Sequence, residues 1–340
     1  MRPYHNSEPV ITLAHGDGGQ LTYSLITGLI LKYFRHEALQ PLNDAALLPR
    51  LSGRLALTTD SFVVKPLFFP GGNIGSLAVN GTINDLAVSG AQPLYLTFSL
   101  ILEEGLPLSA LEQVLAAAAE TAKEAGVYIV AGDTKVVERG HGDQIYINTA
   151  GLGVVTEDIN LGVHRIRPGD VLIVSGTVGD HGLAVLSARE NFGLAGLKSD
   201  CAALHNLILP MLQSFPQQVK WLRDPTRGGL ATTAKELAVS AGVDVFLEEE
   251  AIPVSDSVRG GAEILGLDHL YLANEGKFCA VVEQTVAAEV LAFIRKHPLG
   301  CEAAIIGEIR EGSGRVFLHT SLGATRELYF LSGLQLPRIC

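Results

Sequence analysis

Four aspartates stand where a solvated acid is not expected. Asp60 interrupts the apolar run LALTTDSFVV, and Asp44 sits in PLNDAALL. Asp85 lies toward the end of the helix-like run NIGSLAVNGTINDLAVSG, on the face shared by Ala78 and Gly81, and Asp224 precedes PTRGGLATTAKELA, where a helix is predicted to begin. A helix C-terminus disfavours an acid, and a buried carboxylate is costly unless it is paired or bound to a cation. Each acid alone could serve as a cap, a turn or an ion pair. Several carboxylates that converge need a multivalent ion, and oxygen ligands without Cys or His favour Mg²⁺ or Ca²⁺. Magnesium held by few carboxylates usually shares its shell with phosphates.

Other stretches fit that chemistry. HGDGGQ (His15–Gln20) and TRGGL (Thr226–Leu230) offer backbone N–H groups with little cover, as phosphate requires. Neither is a Walker A loop or a dinucleotide fingerprint. In AGDTKVVERG, Asp133, Lys135 and Glu138 are expected at the carboxyl end of a buried strand, where ligands bind in α/β sheets; a solvated Lys135–Glu138 pair is the plainer alternative. The chain closes on a cysteine, Cys340, in SGLQLPRIC. A thiol at a chain end packs nothing, and exposed free thiols are usually avoided, so its reactivity is the reason to keep it.

The elements that position these residues are mixed. Strands are predicted at 54–64, 146–155, 171–175, 243–247, 277–283, 303–309 and 315–319, with a last one in RELYFL and a short buried one in VYIVAGD. Helices are predicted at 181–191, 202–215, 228–241 and 285–297. The clearest helix is SALEQVLAAAAETAKEAG, with a Ser109/Glu112 capping box and Gly126 as its C′ residue. The RPGD turn and the VLIVSGTVG restart divide the chain into 1–160, 161–331 and a tail, 332–340, that carries the thiol. With 340 residues, 47% hydrophobic and 18% charged, the chain can bury a large core. A net charge of −11 argues against a nucleic-acid or anionic-membrane partner. No apolar run reaches a membrane span and MRPYHNSEPVITL lacks a signal core, so a cytoplasmic protein is expected. Cys201, Cys279, Cys301 and Cys340 form no C-x-x-C pair, which leaves neither a disulfide framework nor a zinc site.

The order HGDGG, NDAALL, TTDSFVV, GTINDLAVSGA, AGDTKVV, RDPTRGGL and terminal PRIC resembles the HypE family of hydrogenase maturation proteins over nearly the full length. The inner motifs are similar in style to a wider group holding aminoimidazole ribonucleotide synthetase, selenophosphate synthetase and thiamine-monophosphate kinase. The resemblance implies an α+β fold of two mixed α/β domains of the aminoimidazole ribonucleotide synthetase-like type, with N-terminal strands forming a homodimer barrel. It implies ATP-dependent dehydration of an S-carbamoyl group on Cys340 to a thiocyanate, the source of the cyanide ligand of [NiFe]-hydrogenase iron. HypF would supply the carbamoyl group and a HypC–HypD complex would accept the cyanide. Asp44, Asp60, Asp85 and Asp224 would hold Mg²⁺. Asp17, Gly18, Gly19, Asp133 and Thr134 would bind ATP, and Lys135 and Glu138 would lie near the carbamoyl group. Relatives often carry two acids where this chain has Asn43-Asp44, which makes Asn43 a doubtful ligand.

The chemistry accounts for these residue types. Phosphorylating the carbamoyl oxygen turns a poor leaving group into phosphate, by positioning and charge neutralisation. A base must remove two protons from nitrogen. Glu138 can act directly, whereas Lys135 needs burial or a nearby cation to lower its pKa. A small-molecule ATP-dependent synthetase or kinase of the same superfamily is the alternative and would not need Cys340. HGDGGQ holds no reactive cysteine, which counts against a selenophosphate synthetase, and a scaffold would not hydrolyse ATP.

Overall fold

The computed structural model describes residues 8–40, 42–155, 158–194 and 196–331. Cys340 and the tail predicted to carry it lie outside the described residues. Among the described residues, seven strands precede residue 156: β1 (Arg54–Phe62), β2 (Phe68–Phe69), β3 (Gly72–Asn73), β4 (Ala91–Glu103), β5 (Tyr128–Ala131), β6 (Thr134–Val137) and β7 (Ile145–Val155). Seven follow: β8 (Val171–Val174), β9 (Val219–Arg223), β10 (Val243–Glu248), β11 (Cys279–Val282), β12 (Ala304–Glu311), β13 (Val316–His319) and β14 (Thr325–Leu328).

The first sheet runs β1-β7-β4-β5, with β6 pairing farther along β4. β1, β7 and β4 are antiparallel, while β5 and β6 lie parallel to β4. β1 opposes β7 so that Asp60 faces Thr149 and Phe62 faces Ile147. The two-residue period of a strand puts Thr58, Asp60 and Phe62 on one face, and helix Ile74–Val88 packs there. Thr58 Oγ1 donates to Asp85 Oδ2 at 2.7 Å. A Cβ at Gly81 would stand 2.9 Å from the Phe62 ring, so Gly81 is what lets the helix approach the strand.

Helix Ile74–Val88 starts on Asn73, whose Oδ1 accepts from the Gly75 and Ser76 N–H groups at 2.8 and 3.2 Å. Every residue of this helix except Ser76 and Asp85 is buried. One side packs with helix Leu108–Glu124 in the first core. Leu86, Ala87 and Val88 belong instead to the core built on helix His205–Ser214 and the second sheet. Both flanks are therefore apolar, and the amphipathic stripe of a surface helix is missing.

The second sheet has the order β14-β13-β10-β12-β8-β11-β9. Helices His205–Ser214 and Ala287–Arg295 cover one face and helix Gly229–Ala241 the other. Val171 and Ile173 point into one core, and Leu172 and Val174 into the other. Burial on both sides explains why the central strands VLIV and CAVV read as unbroken apolar runs.

Several predictions need correction. Ser109 does not cap its helix. The helix begins at Leu108 with Pro107 at the N-cap, Ser109 Oγ donates to Glu8, and Glu112 accepts from Lys32 Nζ and Tyr33 Oη at 2.6 and 2.7 Å. Tertiary partners took both members of the expected box. The other end follows the pattern: Gly126 has φ +69°, its N–H reaches the Lys123 carbonyl, and the Val127 N–H reaches that of Ala122. The sequence reading missed β4, the thirteen-residue strand at the centre of the first sheet, because Pro93 and a bulge between Pro93 and Tyr95 break its alternation. It also missed β9 and helices Gln20–Leu25 and Asp256–Leu265.

Candidate active site

Three of the four singled-out acids meet in one cleft of about 490 Å³, walled by β1 and helix Ile74–Val88 on one side and by β9 with the loop after it on the other. Asp60 comes from the strand, Asp85 from the helix and Asp224 from the end of β9; Trp221, Arg227 and Glu275 also line the space. Burial, helped by the neighbouring Asp85 carboxylate, pushes Asp60 up to about 6, and Arg227 partly offsets this. Burial does the same to Asp224, and Asp85 and then Asp60 add their repulsion, to about 7. Asp85 keeps one oxygen on Thr58. These carboxylates resist sharing negative charge without a cation.

That donor set fits a hard divalent ion. Among the described residues no group of three or more His, Cys, Asp or Glu side chains is close enough to be a ready-made metal cage. Magnesium does not require one, since it keeps waters and phosphate oxygens in its shell and takes one or two carboxylates.

Asp44 does not join the other three. It is exposed, in a segment without regular structure, and lines a second cavity of about 580 Å³. Gly16, Gly18, Asp133, Thr134 and Lys135 share that cavity with Asn43 and with apolar residues such as Phe34, Phe98 and Leu100. The structure thus groups Asp60, Asp85 and Asp224 in one cavity and places Asp44 in the other. In the glycine turn, Asp17 Oδ1 accepts from the Gly19 N–H at 2.7 Å and Gly18 has φ +84°, so the turn is an Asx motif that starts helix Gln20–Leu25. Asp133 Oδ1 accepts from the Thr134 N–H at 2.8 Å and lies 3.7 Å from Lys135 Nζ.

Lys135 stands in β6, whereas Glu138 follows it, and both are about two-thirds exposed. They do not form the pair weighed from sequence: Lys135 goes to Asp133, and Glu138 has His141 Nδ1 at 4.0 Å. The burial that a proton-accepting lysine needs is not present at Lys135. Beside them Glu103 fixes the loop, accepting from the Gly140 and Gln144 N–H groups at 2.6 and 2.9 Å, and these bonds hold its carboxyl below the usual range.

TRGGL is built for packing. Gly228 and Gly229 take φ +75° and +60°, and a Cβ on Gly229 would meet the Leu270 and Leu272 carbonyl oxygens at 2.6 and 2.5 Å. Cys201 and Cys279 are held above the usual thiol range, chiefly by burial, and Cys301 is exposed.

Models of two families cover most of the chain: AIR synthase related protein, N-terminal domain, over residues 42–155, and the corresponding C-terminal domain over 167–319. The carbamoyl dehydratase HypE of Escherichia coli K12 is 50% identical over 336 residues, 97% of this chain and 99% of its own length. The chain belongs to the HypE family. A crystal structure of a HypE in complex with ATP is 46% identical and superposes with a TM-score of 0.93, covering 96% of this chain and 99% of its own. A HypE from a HypE–HypF complex, also 46% identical, superposes at 0.79 over 91% of this chain and all of its own. Both matches carry the two-part α+β architecture expected of a HypE.

Sequence reasoning overlooked three residues that line the cleft, Trp221, Arg227 and Glu275. Arg227 lay inside the quoted RDPTRGGL motif. Glu275 had a visible signal, an acid in ANEGK between apolar runs, where Gly276 is required because a Cβ would overlap the Asp200 carbonyl oxygen.

Proposed function

We propose that this protein uses ATP to convert an S-carbamoyl group on its own Cys340 into a thiocyanate, for delivery as the cyanide ligand of [NiFe]-hydrogenase iron. Full-length kinship to carbamoyl dehydratases carries the proposal, and the buried acid cleft supplies the physical support. ATP binds between the cleft and the glycine turn, with Asp17, Gly18, Gly19, Asp133 and Thr134 toward the nucleotide. Asp60, Asp85 and Asp224 in the cleft, with Asp44 from the neighbouring cavity, would hold magnesium, which would supply neutralisation of the phosphate charge. The carbamoyl oxygen takes up that phosphoryl group with ADP leaving. The nitrogen then gives up both protons as the C–O bond breaks, which yields S–C≡N and inorganic phosphate. Glu138 accepts the protons, because a carboxylate needs no burial to act as a base, and exposed Lys135, which lines the second cavity, steadies the oxygen and phosphate charge.

HypF, with which a relative forms a complex, serves as carbamoyl donor, and HypC–HypD as acceptor. The exposed edge strand β1, with Leu55 and Leu57 uncovered, suits a homodimer barrel. The reading keeps the division at residue 160 and the cytoplasmic setting.

Intact-mass analysis tests it. With HypF, a carbamoyl donor and Mg·ATP, the native chain should gain one carbamoyl group and then lose one water, whereas Cys340→Ala should do neither. Dehydration that proceeds without Cys340, or turnover of a small molecule by the chain lacking Pro337–Cys340, would overturn it.

A further inference from the structure

One carboxamide spans the seam between the two walls of the acid cleft. Asn84 precedes Asp85 on helix Ile74–Val88 and is 1% exposed. Residues in succession on a helix differ by about 100° in direction, so Asp85 can face the cleft while Asn84 faces the second half of the molecule. Its Nδ2 donates to the Ala202 carbonyl at 3.0 Å and to the Glu275 carbonyl at 3.2 Å, and its Oδ1 accepts from the Leu204 N–H at 2.8 Å. Asp200 clasps the same turn from behind. Its Oδ1 accepts from the Glu275 N–H at 3.0 Å, and its Oδ2 from the Gly276 N–H and Lys277 Nζ, both at 3.2 Å.

We infer that Asn84 is a positioning residue, which fixes the spacing between the wall carrying Asp85 and the wall carrying Asp224 and Glu275 and thereby sets the affinity for metal-bound nucleotide. The inference rests on the function proposed above. The cleft acids come from both walls, Asp60 and Asp85 from one and Asp224 from the other, so the distance between the walls sets the spacing of the carboxylates. Asn84 ties the walls together from the residue next to Asp85, through all its strong donor and acceptor positions but one lone pair. Other bonds cross the seam but stand farther along the chain from the acids: Ser199 N–H to the Pro70 carbonyl at 2.8 Å, Arg189 Nε to the Lys65 carbonyl at 2.7 Å, and Asn80 Nδ2 to Cys201 Sγ at 3.3 Å.

Trp221, the only tryptophan of the chain, lines the cleft and reports on its occupancy. Its emission is followed in the full-length protein titrated with Mg·ADP, with calorimetry in parallel. Asn84→Ala should raise the half-saturating Mg·ADP concentration about tenfold or more, and should raise the KM for Mg·ATP more than it lowers kcat. Asn80→Ala, one turn earlier on the same helix, should shift it less than about threefold while also lowering the melting temperature. Asn84→Ser keeps one hydroxyl donor and should fall between Asn84→Ala and native. Unchanged binding in Asn84→Ala, or equal weakening in Asn80→Ala, overturns the inference. If Asn84→Ala does not fold, Asn84→Ser decides: weakening of threefold or more supports the inference and native binding overturns it. No saturable response from the native protein by either method would instead overturn the proposed function, and this inference with it.

Discussion

The acid cleft and the glycine-turn cavity hold the same kinds of side chain in opposite states. Asp224 in the cleft is buried, repelled by its neighbours and held near neutrality in its titration. Asp44, Asp133 and Lys135, which line the second cavity, are all exposed, as is Glu138 in the loop after β6. Thr58 and the Asn84 seam fix the cleft, whereas local turns and two loose pairs, Lys135–Asp133 and His141–Glu138, hold the other set. The difference teaches where preorganisation lies. The cleft arrives with its charges already desolvated, so a divalent ion gains most there. The second cavity is finished only when a ligand covers it.

Asp85→Asn challenges that division most severely. It keeps the size and the acceptor for Thr58 but removes the charge, and single-turnover dehydration of pre-carbamoylated protein should drop about 10²- to 10³-fold. Normal turnover would show that the cleft is not the reacting site. Glu138→Gln and Lys135→Ala should each cost roughly 10²-fold in the same assay, with stability unchanged to within about 0.5 kcal/mol because both side chains are exposed. A large loss of stability would mean that the second region is as tightly built as the first.

Stability against pH separates the regions further. Native Asp224 keeps a proton that the unfolded chain releases from about pH 4 upward, so its contribution to stability falls as pH climbs toward 7 and levels off above. In metal-free protein, Asp224→Asn should be more stable than native by on the order of 2 kcal/mol above pH 7. That advantage should vanish near pH 4 in denaturant titrations. An advantage that grew toward acid would reverse the assignment. The smallest effect belongs to Ser109→Ala, which should change the unfolding free energy by less than about 0.5 kcal/mol, half of what a true N-cap loses.

Legibility followed how local each signal was. Strands buried on both faces, such as VLIV and CAVV, and the Gly126 helix stop were plain because a few adjacent residues encode them. Asp60 and Asp85 were legible for a related reason: an acid inside an apolar run breaks a local pattern. Strand β4 was hidden by its bulge, and the Ser109 box looked right while partners from residues 8, 32 and 33 claimed its side chains. Nothing near Asp44 in the chain reveals that it stands apart from the other acids.

Amino-acid order alone was enough to mark the anomalous acids, the glycine turns and the terminal thiol, and through their succession the family. Which acids share a cleft, how far each is desolvated, and that Asn84 braces the gap were settled by folding. Register, burial and repulsion arise between residues distant in the chain, and a carboxylate acquires its shifted proton affinity only from the neighbours that packing brings to it.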